Sequence, residues 1–172
     1  MRLNYLFYTI SFLPLILFSN NGLNAEAIII ENNPFYGLSN AKIKSIQSLT
    51  NDNLINVKLE YAPESTQFGS PEFFKATLFY KNTNQRVLHA DMDIIVSKDG
   101  KELYKESDEF SQPYVHTPNG IVLSSYKFPS AGQYVVSVKI TGINYMPVNP
   151  KQVDFATNVT DSDNKYIIEM AK

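Results

Sequence analysis

The run Leu88-His89-Ala90-Asp91-Met92-Asp93-Ile94-Ile95-Val96, continued by Ser97-Lys98-Asp99-Gly100-Lys101-Glu102, decides how the chain is read. Leu88, Ala90, Met92, Ile94 and Val96 fall on one face at period two, and His89, Asp91 and Asp93 on the other. Such alternation belongs to a half-buried strand, because successive side chains of an extended backbone point to opposite faces. Lys98-Asp99-Gly100-Lys101 then reverses the chain. Asp-Gly between strands suits a type I′ turn, whose two central residues both need positive φ. A return strand is expected over 102–105.

The same period recurs on both sides of this hairpin. Ile55, Val57, Leu59 and Tyr61 alternate with Asn56, Lys58 and Glu60. Inward sets follow at Phe74, Ala76, Leu78 and Tyr80, and at Val122, Ser124, Tyr126 and Phe128. Two more are Tyr134, Val136, Val138 and Ile140, and Val153, Phe155, Thr157 and Val159. Weaker alternation places a first strand over 41–49. The links are a turn-rich stretch over 63–71, a polar turn over 81–85, a loop over 107–120, a turn over 129–132 and a proline-framed loop over 146–150. Short alternating runs between Asn, Ser, Thr, Pro and Gly predict an all-β sandwich or barrel. Gly132-Gln133-Tyr134 narrows this. A tyrosine near the start of a strand is the corner residue of immunoglobulin-like sandwiches, where its hydroxyl bonds back to the backbone. The expected fold is an all-β, immunoglobulin-like antiparallel β-sandwich of about seven to nine strands.

The N-terminus reads as an export signal. Arg2 precedes an apolar stretch over 5–18, then a polar patch and small residues, Asn24-Ala25-Glu26-Ala27, with cleavage expected after Ala25 or Ala27. Asn4 and Pro14 interrupt the stretch, which is short of the roughly 20 residues a spanning helix needs. The expected organisation is a signal peptide over 1–27, a lead-in over 28–40, a sandwich domain over 41–160 and a polar tail over 161–172. The protein is thus expected to be secreted or extracytoplasmic, in the cell envelope, and membrane-attached only if the signal segment is retained.

Composition removes several function classes. The formal charge of −2 shifts to about −3 without Arg2, a field too weak to recruit nucleic acid or an anionic membrane. There is no cysteine, so neither disulfides nor thiolate chemistry are available. Neither a Gly-x-Ser-x-Gly elbow, a phosphate loop nor a His-Glu-x-x-His motif occurs. The paired carboxylates at Asp91 and Asp93 read as a solvated strand face, not as the facing pair of a glycosidase.

The two histidines, His89 and His116, are the candidate chemical site. Histidine is the commonest metal ligand. Following successive antiparallel strands puts His89, His116 and Met146 at one pole, with Asp91 one pleat inward. Two imidazoles with a thioether favour copper, and two imidazoles with a carboxylate suit zinc or iron. The candidate metal ligands are therefore His89 and His116, with Asp91 or Met146 completing the shell. Joint coordination needs ring nitrogens within about 3–4 Å of each other. The alternative is that both histidines are hydrogen-bonding braces. Asn158-Val159-Thr160 is a glycosylation sequon, making Asn158 a candidate acceptor.

An ordered set of motifs runs through the second half: His89-Ala90-Asp91-Met92-Asp93, Ser97-Lys98-Asp99-Gly100-Lys101, His116-Thr117-Pro118-Asn119-Gly120, Phe128-Pro129-Ser130-Ala131-Gly132-Gln133-Tyr134, Gly142-Ile143 and Pro147-Val148-Asn149-Pro150. This set resembles a group of exported β-sandwich proteins of ammonia-oxidising archaea. That group carries a His-x-Asp-aromatic run and a Leu-His-Thr-x-x-Gly run; this chain has Met92 and Val115 at the variant positions. The resemblance implies an immunoglobulin-like fold, export and an archaeal origin, and no particular activity. The expected function is a non-enzymatic exported binding module that takes a metal ion, copper first or else zinc, through the two-histidine pole. A cell-envelope or adhesive module binding a protein or glycan partner is the alternative, and a metal-dependent hydrolase a second one.

Overall fold

The computed structural model describes residues 42–161. The expected signal peptide, the lead-in over 28–40 and the tail beyond Asp161 lie outside the described residues.

The alternating runs become strands β1 (Lys44–Leu49), β2 (Ile55–Ala62), β3 (Pro71–Tyr80), β4 (Ala90–Lys98), β5 (Lys101–Lys105), β6 (Val115–Thr117), β7 (Ile121–Lys127), β8 (Gly132–Ile143) and β9 (Met146–Val159). One 3₁₀ turn, Glu106–Phe110, follows β5. The strands form two antiparallel sheets, in the orders β1-β2-β3-β7 and β5-β4-β8-β9, with β6 beside the first residues of β4. Both sheets contribute to one core: Val57, Leu59, Phe74, Leu78 and Val122 from the first, and Met92, Ile94, Val96, Val136, Val138 and Phe155 from the second. Full burial of each such side chain is worth about 1.5–3 kcal/mol relative to exposure. With no disulfide, this core carries the fold.

The local signals were sound at both turns that were singled out. Asp99 and Gly100 have φ of 52° and 76°, as a type I′ reversal requires. Tyr134 is buried, and its hydroxyl donates to the Ser130 carbonyl at 2.9 Å, closing the corner. Its ring meets Phe128 edge-on at 4.8 Å.

Four expectations need correction. His89 does not open a strand; its φ is +48°, and β4 starts at Ala90. That left-handed residue breaks the alternation, so Val87 is buried and Leu88 is exposed. The 107–120 segment is not a plain loop, because β6 adds to the edge of β4 that β5 leaves open. The 146–150 segment is strand, not loop. Among the named strands β9 pairs with β8 alone, and an edge strand tolerates prolines whose missing N–H faces away from the ladder. Finally, Asp93 is not on a solvated face. The 3₁₀ turn covers it, with Ser107 N–H donating to Oδ1 at 2.9 Å and Lys105 at 3.8 Å; burial pushes its carboxyl up.

Candidate functional site

Asp91 is the centre of the histidine pole. It pairs with His116 on β6 and with Gly142 on β8, so the three residues form one row across three strands. Cross-strand partners share a face, and Asp91, His116 and Gly142 lie on the face opposite the core. Ladder irregularities at Asp91/Met92 and at Ile140/Gly142 flank the row. Bulges of this kind re-aim side chains at a sheet end.

His116 Nδ1 lies 2.7 Å from Asp91 Oδ1. An ionised carboxylate only accepts, so the imidazole holds its proton at Nδ1, and in the neutral ring Nε2 is left as an open acceptor. The Asp91 side chain is 17% exposed and that of His116 42%. The other carboxylate oxygen lies over Gly142: a Cβ built there would sit 2.3 Å from Asp91 Oδ2. The glycine makes room for the carboxylate that orients the histidine.

His89 reaches the same place from the β3–β4 connection, anchored by its N–H donating to the Pro118 carbonyl at 3.1 Å. Its Nδ1 is buried without a partner. Its Nε2 stands 3.2 Å from the hydroxyl of Tyr145. Tyr145 and Asn144 form the reversal between β8 and β9, with φ of 63° and 50°. The Tyr145 ring stacks on His89 at 4.2 Å and on His116 at 5.7 Å between centres, and the two imidazoles are 6.1 Å apart. All three planes agree within 28°.

The structure therefore brings His89, His116 and Asp91 together, as strand order predicts. It does not bring Met146 to them. Met146 is the cross-strand partner of Ile143, which itself pairs with Ala90, so it lies on the face opposite Asp91 and His116, with its side chain exposed. Tyr145, its neighbour, takes the place at the pole. Sequence reasoning left Tyr145 out of the histidine site because nothing local marks a tyrosine for a left-handed turn position. It missed the structural role of Gly142 because only the register places it opposite Asp91. Asn158 is exposed on β9, opposite Gln133.

Among the described residues, no group of three or more His, Asp or Glu side chains converges as an ion-binding set. Asp91 is turned to His116 as its hydrogen-bond partner.

A second ionisable group went unremarked in the sequence although its position announced it. Glu72 occupies the inward phase of Phe74, Ala76 and Leu78 and is 1% exposed. Burial pushes its carboxyl up to about 7, opposed by a hydrogen bond from Thr66, and Oε1 has no partner.

No protein-family model matches the chain, and no curated protein matches it. Among solved structures it is similar to one titled "X-ray Crystal Structure of a Putative Lipoprotein from Bacillus anthracis". The likeness is 13% in sequence, covers 73% of this chain and 91% of that one, and has a TM-score of 0.33.

Proposed function

We propose that the chain is an exported, non-enzymatic binding module of immunoglobulin-like topology, and that the His89–His116 pole takes a transition-metal ion, copper first and zinc second. Two features support the fold reading: the antiparallel sheets β1-β2-β3-β7 and β5-β4-β8-β9, and a tyrosine at the start of β8 bonded back to the turn before it, as immunoglobulin-like sandwiches have. The signal-like N-terminus supports an extracytoplasmic location.

The observation that carries the metal reading is the Asp91–His116 pair. Metal-ligating histidines donate their second ring N–H to a carboxylate, which fixes the tautomer and raises the basicity of the free nitrogen. His116 has this arrangement, with Nε2 open. Two imidazoles sharing one ion at metal–nitrogen lengths of about 2.0 Å hold their ring centres roughly 5–6 Å apart. The ring centres of His89 and His116 are 6.1 Å apart, close to that range. Imidazole donors without thiolates favour copper over zinc by intrinsic affinity.

Calorimetric titration of the full chain with copper and zinc tests this. One equivalent should bind the wild type, and the His89→Ala, His116→Ala double variant should lose it. Equal affinity in both proteins would sink the reading. A second reading rests on the three near-parallel rings, with Tyr145 67% exposed: they form an aromatic surface on which a sugar ring or a partner's side chain stacks. Glycan or protein binding unaffected by chelators, but lost on removing the Tyr145 ring, would favour it. Asn158 stands as a glycan acceptor on the same export argument, tested by intact mass against Asn158→Gln.

A further inference from the structure

The metal reading leaves the pole one donor short. Met146 is on the other face, and Asp91 is held by His116. We infer that Tyr145 is the third ligand, binding copper(II) through its phenolate oxygen beside His89 Nε2. This rests on the metal reading and extends it to a donor of a different chemical class.

Three observations carry the inference. The first is a distance. Two donors on one ion, each at about 2.0–2.1 Å and at coordination angles between square and tetrahedral, stand roughly 3 Å apart. Tyr145 Oη and His89 Nε2 are 3.2 Å apart. The hydrogen bond now joining them already holds the two atoms at the spacing of neighbouring ligands. The second is placement. The Tyr145 ring stacks beside both imidazoles and is mostly open to solvent, so its oxygen lies at the histidine pole and within reach of an ion from outside. The third is backbone strain. Tyr145 has φ of 63°, a conformation that side-chain-bearing residues rarely adopt and where glycine is the usual choice for a type I′ reversal. Residues held in such conformations cluster at ligand clamps. Here two members of the ring cluster, His89 and Tyr145, are held so.

The chemistry balances without a redox step. The copper–oxygen bond forms as the tyrosine O–H bond breaks, and the proton leaves to water. A coordinated cation lowers the pKa of the acid that binds it, as metal-bound thiols and water show.

The test uses copper(II) sulfate on the full chain after chelator treatment, reading binding by calorimetry and the metal environment by visible absorption. Wild type should bind one equivalent and develop a phenolate-to-copper charge-transfer band. Tyr145→Phe keeps the ring and removes the oxygen. It should bind without the band and at least about tenfold more weakly, the smallest loss typical of removing even an outer-sphere partner. Tyr145→Gly relieves the backbone and should lose the band equally, which excludes misfolding as the cause. If wild type binds copper without the band and Tyr145→Phe binds as tightly, Tyr145 is not a ligand, while the two-histidine reading stands. If wild type binds no copper, both fall.

Discussion

Asp91 and Gly142 face each other across β4 and β8, and the Asp91 carboxylate fills the space that a Cβ at residue 142 would occupy. Exchanging glycine for alanine within a strand is normally favourable by about 0.5–1 kcal/mol. At 142 the sign should reverse. Gly142→Ala would drive Oδ2 from its seat and break the bond from His116 Nδ1 to Oδ1. We expect a loss of about 1 kcal/mol in urea denaturation, small because His116 is partly exposed, and a copper affinity weaker by tenfold or more. A Gly142→Ala protein as stable as wild type with unchanged affinity would show that the carboxylate can move freely.

Glu72 makes stability depend on pH. Its carboxyl titrates at about 7 in the folded protein against an ordinary 4.5. Between these values the folded state keeps a proton that the unfolded chain has released. The stabilisation is therefore complete below about 4.5, declines through the window and is gone above about 7, a total of roughly 3 kcal/mol. Glu72→Gln should remove this decline, so the variant gains on wild type as pH rises from 5 to 8. Denaturation curves at several pH values check it, and parallel profiles for the two proteins would refute it.

Tyr134→Phe should cost about 1 kcal/mol, because the hydroxyl donates to the Ser130 carbonyl and also meets Ser130 Oγ at 2.9 Å, while the ring packing survives. Thermal or urea unfolding measures it. A change within a few tenths of a kcal/mol would mean that water replaces the corner bond at no cost.

The strain at Tyr145 is measurable by a pair of variants. Tyr145→Gly and Tyr145→Ala both delete the stacked ring, but only glycine accepts φ of 63° freely. The glycine variant should be more stable than the alanine variant by about 1 kcal/mol. Equal melting temperatures would indicate that the turn relaxes to negative φ once the ring is gone.

Much of this fold was legible in the order of residues. Period-two runs marked the main strands, Asp99-Gly100 their type I′ turn, and Tyr134 its corner. Counting strands placed His89, His116 and Asp91 at one end, and this held because the 107–120 segment stayed on the edge of β4. Leu88 misled because one left-handed residue, His89, shifts the phase of everything before it. Met146 was placed in the loop that its neighbouring prolines suggest, but the reversal falls at Asn144 and Tyr145 and Met146 already belongs to β9, which puts Tyr145 at the pole instead.

The sequence by itself determined the all-β class, the inward residues of each main strand and the end of the sheet at which the histidines meet. Those follow from alternation and chain direction, which are local properties of an extended backbone. Only the tertiary structure decided the site. The seat of the Asp91 carboxylate over Gly142, its bond to His116 and the tyrosine stacked on both imidazoles depend on register between strands far apart in sequence. A shift of one residue in that register would send the same side chains to the opposite face.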